Sequence, residues 1–141
     1  MKPLLVAVDF SELSQRAVAY AVEHARGSGR SIDLLHVGQD TLPARAQAHA
    51  PAEIVEAIRE AEDKEDRQQL DRVLATIPPE LRGHGVLRRG PAAQTICEVA
   101  KNGYELVVVS THGRTGLSQF FIGSVAERVV RFSPIPVLVV R

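Results

Sequence analysis

The chain has 141 residues, 45% hydrophobic and 24% charged, enough for one sizeable core and too apolar for wholesale disorder. Lysine plus arginine total 17 and aspartate plus glutamate total 17, so the net charge is zero and bulk electrostatic capture of nucleic acid or an anionic membrane is not supported. One cysteine cannot form an internal disulfide, no apolar run approaches the ~20 residues of a membrane span, and Met1-Lys2-Pro3 does not open a signal peptide; a cytoplasmic protein with one domain over 1–141 is expected.

Leu4–Asp9 is short, apolar and abruptly ended by an acid, as a buried strand would be. Ser11–Arg26 follows with helical spacing. Leu13, Ala17, Ala21 and Ala25 recur every four residues beside Val18 and Val22, with Ser11 as N-cap and Gly27 as stop. Ile32–Val37 predicts a second strand. Thr41–Ala50, rich in Ala and Gln with Pro43, predicts a mobile loop. Pro51–Ile77 predicts a long, partly exposed helix bent in the middle. Ile54, Ile58, Leu70, Val73 and Leu74 would face the core, and the charged run Arg59–Gln69 would face water. Gly85–Arg89 is more polar and suits an edge strand.

Pro91–Asn102 opens with a proline suited to a first helical turn and closes near Gly103, with Cys97 on its stripe as a small core residue. Glu105–Ser110 predicts the fourth strand. Gly123–Phe132 predicts a helix with Val125, Ala126, Val129 and Val130 on one stripe, ended by Pro134, and Pro136–Val140 the fifth strand. None of the four apolar strands alternates cleanly, as expected of parallel strands covered on both faces. The fold class is therefore α/β: a five-stranded parallel sheet with right-handed crossovers and helices on both faces. Ligands of such sheets bind outside the carboxyl ends of strands where the strand order reverses. The search narrows to the positions just after Asp9, Val37, Arg89 and Ser110.

Most chemistry-bearing motifs are absent. No Gly-Lys pair exists for a Walker loop, and Gly27-Ser-Gly29 lacks a third glycine and precedes a strand, so the dinucleotide fingerprint fails. The five histidines show no close zinc-type pairing, so no metal site is expected, and no Gly-x-Ser-x-Gly elbow occurs. Asp9 ends its strand as a phospho-accepting acid would, but no second acid adjoins it. What remains is Ser110-Thr111-His112-Gly113-Arg114-Thr115-Gly116, continuing to Gly123-Ser124. Its glycines let backbone amides approach a ligand, Gly123-Ser124 opens a helix whose N-terminus favours an anion, and Arg114 supplies charge. On residues alone this is a phosphate-binding loop. Asp9 could instead merely cap the following helix, and Gly113 and Gly116 merely shape a loop. His112 has no evident partner, and Phe120 and Phe121 suit packing or a dimer contact.

The sequence resembles the universal stress protein family along its whole length, from Val6-Ala7-Val8-Asp9-Phe10-Ser11-Glu12 to Pro134-Ile135-Pro136-Val137-Leu138-Val139-Val140. The nucleotide-binding branch carries Gly, two residues, Gly, nine residues, then Gly-Ser or Gly-Thr, which falls here on Ser110, Gly113, Gly123 and Ser124. The resemblance implies a Rossmann-like sheet of the adenine nucleotide alpha hydrolase kind, in strand order 3-2-1-4-5. It also implies a homodimer paired through 136–140, and ATP, or AMP, ADP or cyclic AMP, with or without Mg, held between the first and fourth strands. Asp9 would meet the adenosine, the Val37 backbone the adenine edge, and Gly113, Gly123, Ser124 and Val125 the ribose and phosphates. Ser110 stands where the family has glycine. In a left-handed backbone it would cost on the order of 1 kcal/mol; in an ordinary one it adds a contact. The implied role is a stress-response regulator that is not an enzyme. The competing readings are a dimeric interaction module that binds no nucleotide, and a slow ATPase.

Overall fold

The computed structural model describes residues 1–112 and 121–141. Its elements run β1 (Leu4–Ala7), α1 (Glu12–Arg26), β2 (Ile32–Gly38), α2 (Ala44–His49), α3 (Ala52–Ala75), β3 (Arg82–Arg89), α4 (Ala92–Ala100), β4 (Leu106–Ser110), α5 (Ser124–Phe132) and β5 (Val137–Val140). All strand pairs are parallel and the order is β3-β2-β1-β4-β5. β1 sits in the centre, with Leu4 opposite Ile32 on one side and Leu106 on the other.

The missing alternation has a direct cause. Successive residues of β1 enter two different cores: Leu4 and Val6 join Leu34, Val108 and the α1 stripe Ala17, Val18, Ala21 and Ala25. Leu5 joins Leu35, Val107 and Val109 beneath Ile96 and Ala100 of α4 and Ala126 and Val129 of α5. Every β1 side chain from Leu4 to Val6 is fully buried, so both faces demand apolar residues. The alanines of α1 bring its axis close to the sheet, and Cys97 lies buried on α4, where burial raises its thiol pKa.

Four expectations are corrected. Residues 44–49 form a short helix, α2, whose alanines favour helix and whose Gln47 amide donates to the Leu42 carbonyl at 2.6 Å. α3 is one helix of 24 residues, and Leu70 is its buried anchor; Ile54 is 53% exposed and does not face the core. Val125 and Val130 of α5 are exposed, and Ala126 and Val129 alone turn inward. β3 begins at Arg82, three residues earlier than the Gly85 start expected, because the buried Asp33 carboxylate accepts the His84 N–H at 2.8 Å and draws the edge strand in. Among the described residues no helix is long and apolar enough to cross a membrane.

Candidate functional site

Strand order reverses between β1 and β4, so their carboxyl ends flank the crevice where this architecture binds ligands. The last printed pair is Val6 with Val108. Two residues further along each strand come Val8 and Ser110, which places Asp9 and Ser110 at the mouth.

Asp9 is shaped by the turn after β1. Phe10 has φ 65°, a left-handed conformation that costs a non-glycine residue on the order of 1 kcal/mol. The turn folds the chain back, so that Asp9 Oδ1 accepts from Ser11 N–H at 3.0 Å and Ser11 Oγ–H at 2.5 Å. Ser11 Oγ in turn accepts from Ser14 N–H at 3.2 Å, completing the cap of α1. The Phe10 ring lies on His36, with centroids 4.2 Å apart. His36 Nδ1 lies 2.8 Å from the Val8 carbonyl, which can only accept, so Nδ1 carries the hydrogen; Nε2 lies 3.5 Å from Asp66. His36 thus braces the exit of β1 from beneath.

Val37 borders the same crevice through its backbone. The Leu35 carbonyl points toward β1 and accepts the Val8 N–H at 2.9 Å. Backbone groups alternate sides along a strand, so Val37, two residues on, turns its N–H and C=O the same way, past the final β1–β2 pair of Ala7 and Leu35. The Gln39 amide donates to the Val37 carbonyl at 3.4 Å and to the Gly90 carbonyl at 3.0 Å.

Across the crevice, Thr111 N–H bonds the Val140 carbonyl at 2.8 Å and prolongs the β4–β5 ladder. Gly123 N–H bonds the Thr111 carbonyl at 2.6 Å. A Cβ on Gly123 would stand 2.8 Å from that same oxygen, so glycine is required for the close approach, not for its φ of −63°. The first helical bond of α5 runs from Glu127 N–H to the Gly123 carbonyl, and no side chain caps the helix. The amides of Ser124, Val125 and Ala126 therefore have no partner within the helix. This is an anion-binding geometry. Gly113 and Arg114 lie outside the described residues. Phe121, expected to pack or face a partner, is 67% exposed.

The family model described as "Universal stress protein family" matches residues 1–141. The chain belongs to this family. It is 29% identical over 144 residues to universal stress protein YxiE of Bacillus subtilis, covering 98% of this chain and 97% of that one. Universal stress protein UspA from Lactobacillus plantarum superposes with a TM-score of 0.74 at 25% identity, covering 99% of this chain and 97% of its own. A universal stress protein solved in complex with cAMP superposes with a TM-score of 0.59 at 25% identity, covering 99% and 96%.

In this universal stress protein the serine at position 110 is unstrained. Among the described residues Phe10 is the non-glycine residue with positive φ, so Ser110 lies in an ordinary backbone, and its hydroxyl donates to the His112 carbonyl at 3.0 Å. Sequence reasoning missed a charged cluster beside the site. Arg89 donates to Asp40 at 2.7 Å, Asp63 at 2.8 Å and Glu62 at 3.0 Å, and Arg59 reaches Asp40 at 3.3 Å. Arg59, Glu62 and Asp63 of the run Arg59–Gln69 therefore turn toward the end of β3. The Arg59 hydrogen bond holds the Asp40 carboxyl below its ordinary range, and the Thr41 hydroxyl, seconded by Arg89, does the same for Glu62. Burial opposes the charge on Arg89, but its bonds to Glu62 and Asp63 prevail and raise it. Arg88-Arg89 at a strand end was the available signal; the acids that answer it lie far away in sequence.

Proposed function

We propose that this universal stress protein binds an adenine nucleotide at the mouth between β1 and β4 and acts as a regulator in the stress response. The observation that carries the reading is the open N-terminus of α5: three amides without helical partners, beside a glycine that nothing larger can replace. The outward-turned Val37 backbone offers an N–H and a C=O, which match the ring nitrogen and amino group of adenine. The cAMP complex of a relative supports a single phosphate as sufficient, so ATP, ADP, AMP and cyclic AMP all remain in the ligand class. Among the described residues no three His, Cys, Asp or Glu residues are placed to hold a metal ion, so magnesium, where present, would be held chiefly by the nucleotide's own phosphates.

The role is binding, not turnover, because the Asp9 carboxylate at this edge already serves Ser11 through Oδ1. We further place the protein in the cytoplasm as one domain over 1–141, and as a homodimer joined through the edge strand β5. Nucleotide would then stabilise the folded dimer by about 2.7 kcal/mol at a hundredfold excess over Kd.

One observation favours the interaction module that binds no nucleotide: Gly123 N–H is already taken by Thr111. Titration calorimetry with ATP, AMP and cyclic AMP, with and without magnesium, decides between the two. Micromolar binding that Gly123→Val abolishes is expected. Absence of heat for all three ligands, with no nucleotide released on denaturing the purified protein, would favour the module. Phosphate release sensitive to Gly123→Val would restore the ATPase.

A further inference from the structure

Asn102 is the chain's single asparagine, and Gly103 follows it in the exposed turn between α4 and β4. We propose that Asn102-Gly103 is a self-modification site, where the turn converts its own side-chain amide to a carboxylate at the edge of the sheet opposite the crevice. The Gly103 backbone nitrogen bonds to Asn102 Cγ, the Cγ–Nδ2 bond breaks, and the Gly103 proton passes through solvent to the departing nitrogen, which leaves as ammonia. Water then opens the cyclic imide at either carbonyl, giving aspartate or isoaspartate. Water is the one co-reactant, and nothing is oxidised or reduced. The proposal does not depend on nucleotide binding.

Three observations leave the attack open. Gly103 has no side chain to shield its nitrogen, a φ of +90°, and no atom within 4 Å of the place a Cβ would take. Among the described residues its N–H donates no backbone hydrogen bond, whereas the Asn102 N–H bonds the Val99 carbonyl at 3.0 Å. The Asn102 side chain is held by a bond from Nδ2–H to the Glu98 carbonyl that, at 3.3 Å, is longer than usual and restrains the amide weakly. Asp-Gly, the other pair that closes such an imide readily, does not occur in the sequence, so the product would arise at one place.

The product acts on its surroundings. The chain, neutral with 17 bases and 17 acids, gains one negative charge. A carboxylate cannot donate to the Glu98 carbonyl, and just past the C-terminus of α4 it meets the negative end of the helix. Arg88, which borders the same hollow, is already turned to the Leu87 carbonyl at 2.9 Å. In the isoaspartyl form the backbone runs through the former side chain and is longer by one carbon. Downstream the chain is fixed: Tyr104 donates its hydroxyl to Asp33 at 3.0 Å, and Glu105 N–H bonds the Pro3 carbonyl at 2.9 Å. The added length is therefore taken up at the end of α4, whose last turn loosens.

The test ages the full chain and its Asn102→Gln variant in warm, mildly alkaline buffer, and ages wild type in denaturing guanidinium alongside. Isoelectric focusing reads the acidic form, and labelling by isoaspartyl methyltransferase reads isoaspartate. Both are expected to accumulate in folded wild type within about tenfold of the denatured rate, the slowing that about 1.4 kcal/mol of restraint imposes. Asn102→Gln, which would have to close a larger ring, should form neither. Asn102→Asp should lower the thermal midpoint by about 2 °C. Folded wild type that converts more slowly than that limit, or an acidic form that appears equally in Asn102→Gln, overturns the proposal. A midpoint of Asn102→Asp equal to that of wild type overturns the loosening of α4.

Discussion

Where β3 leaves the sheet, the Arg89 guanidinium meets three carboxylates; beyond β4, three amides open α5 with no partner within the helix. Both places carry polar groups that need partners, and they lie along one carboxyl edge. The first finds its partners within the chain, through a long helix and the loop after β2. The second has no partner within its own helix and stands beside the position where the strand order reverses. A polar cluster satisfied from within serves as a scaffold, whereas one without partners in its own helix, beside such a crevice, is a candidate site. The same contrast separates two helix N-termini: α1 is capped by Ser11, itself held by Asp9, and α5 has no cap.

The scaffold side should break hardest. Arg89→Met leaves Glu62, whose side chain is 16% exposed, without its counter-charge, and should lower stability by about 2–3 kcal/mol in urea unfolding. The pH dependence has a definite sign. Glu62 and Asp40 have folded pKa values below their unfolded ones, so the stability they contribute is present above ~4 and is lost as pH falls through the lower folded values. In Arg89→Met this acid-side loss should be shallower, and an unchanged acid limb would show that the cluster is not what links stability to pH.

The helix ends give a smaller effect. Ser11→Ala removes a working cap and should lower the thermal stability by about 1 kcal/mol, whereas Ser124→Ala, at the uncapped end, should stay within about 0.5 kcal/mol. Equal losses at both would erase the distinction between them. The smallest change concerns position 110. Because its backbone is not left-handed, Ser110→Gly should shift nucleotide affinity less than about threefold and weaken the fold by about 0.5–1 kcal/mol through chain entropy. A tenfold gain in affinity would reveal a strain that only the bound state imposes.

The sheet was legible because its evidence is local: β1, β2, β4 and β5 are apolar runs, and Ser11 and Gly27 bracket α1 as read. The candidate site was legible in part. Ser110, Gly123 and Ser124 stand at the strand end and helix start that their spacing indicated, and Gly123 proves indispensable through a contact with Thr111 that no spacing reveals. Phe10 gave no signal, since an aromatic residue is a poor candidate for a left-handed turn. α2 was missed because a helix of six residues with none buried leaves no apolar stripe to read. Ile54 misled because it keeps helical spacing with Ile58 while pointing to water.

Periodicity and punctuation along the chain thus determined the class of fold, the order of its elements and the edge at which to look. Those properties depend on neighbours a few residues apart. Tertiary structure alone decided which polar groups are answered and which are left open. Arg89 finds Asp63 at a separation of 26 positions and Asp40 at 49, and His36 finds Val8 at 28. Hydrogen bonds and ion pairs act over a few ångströms in space whatever the distance along the chain, so only the folded sheet could sort scaffold from candidate site.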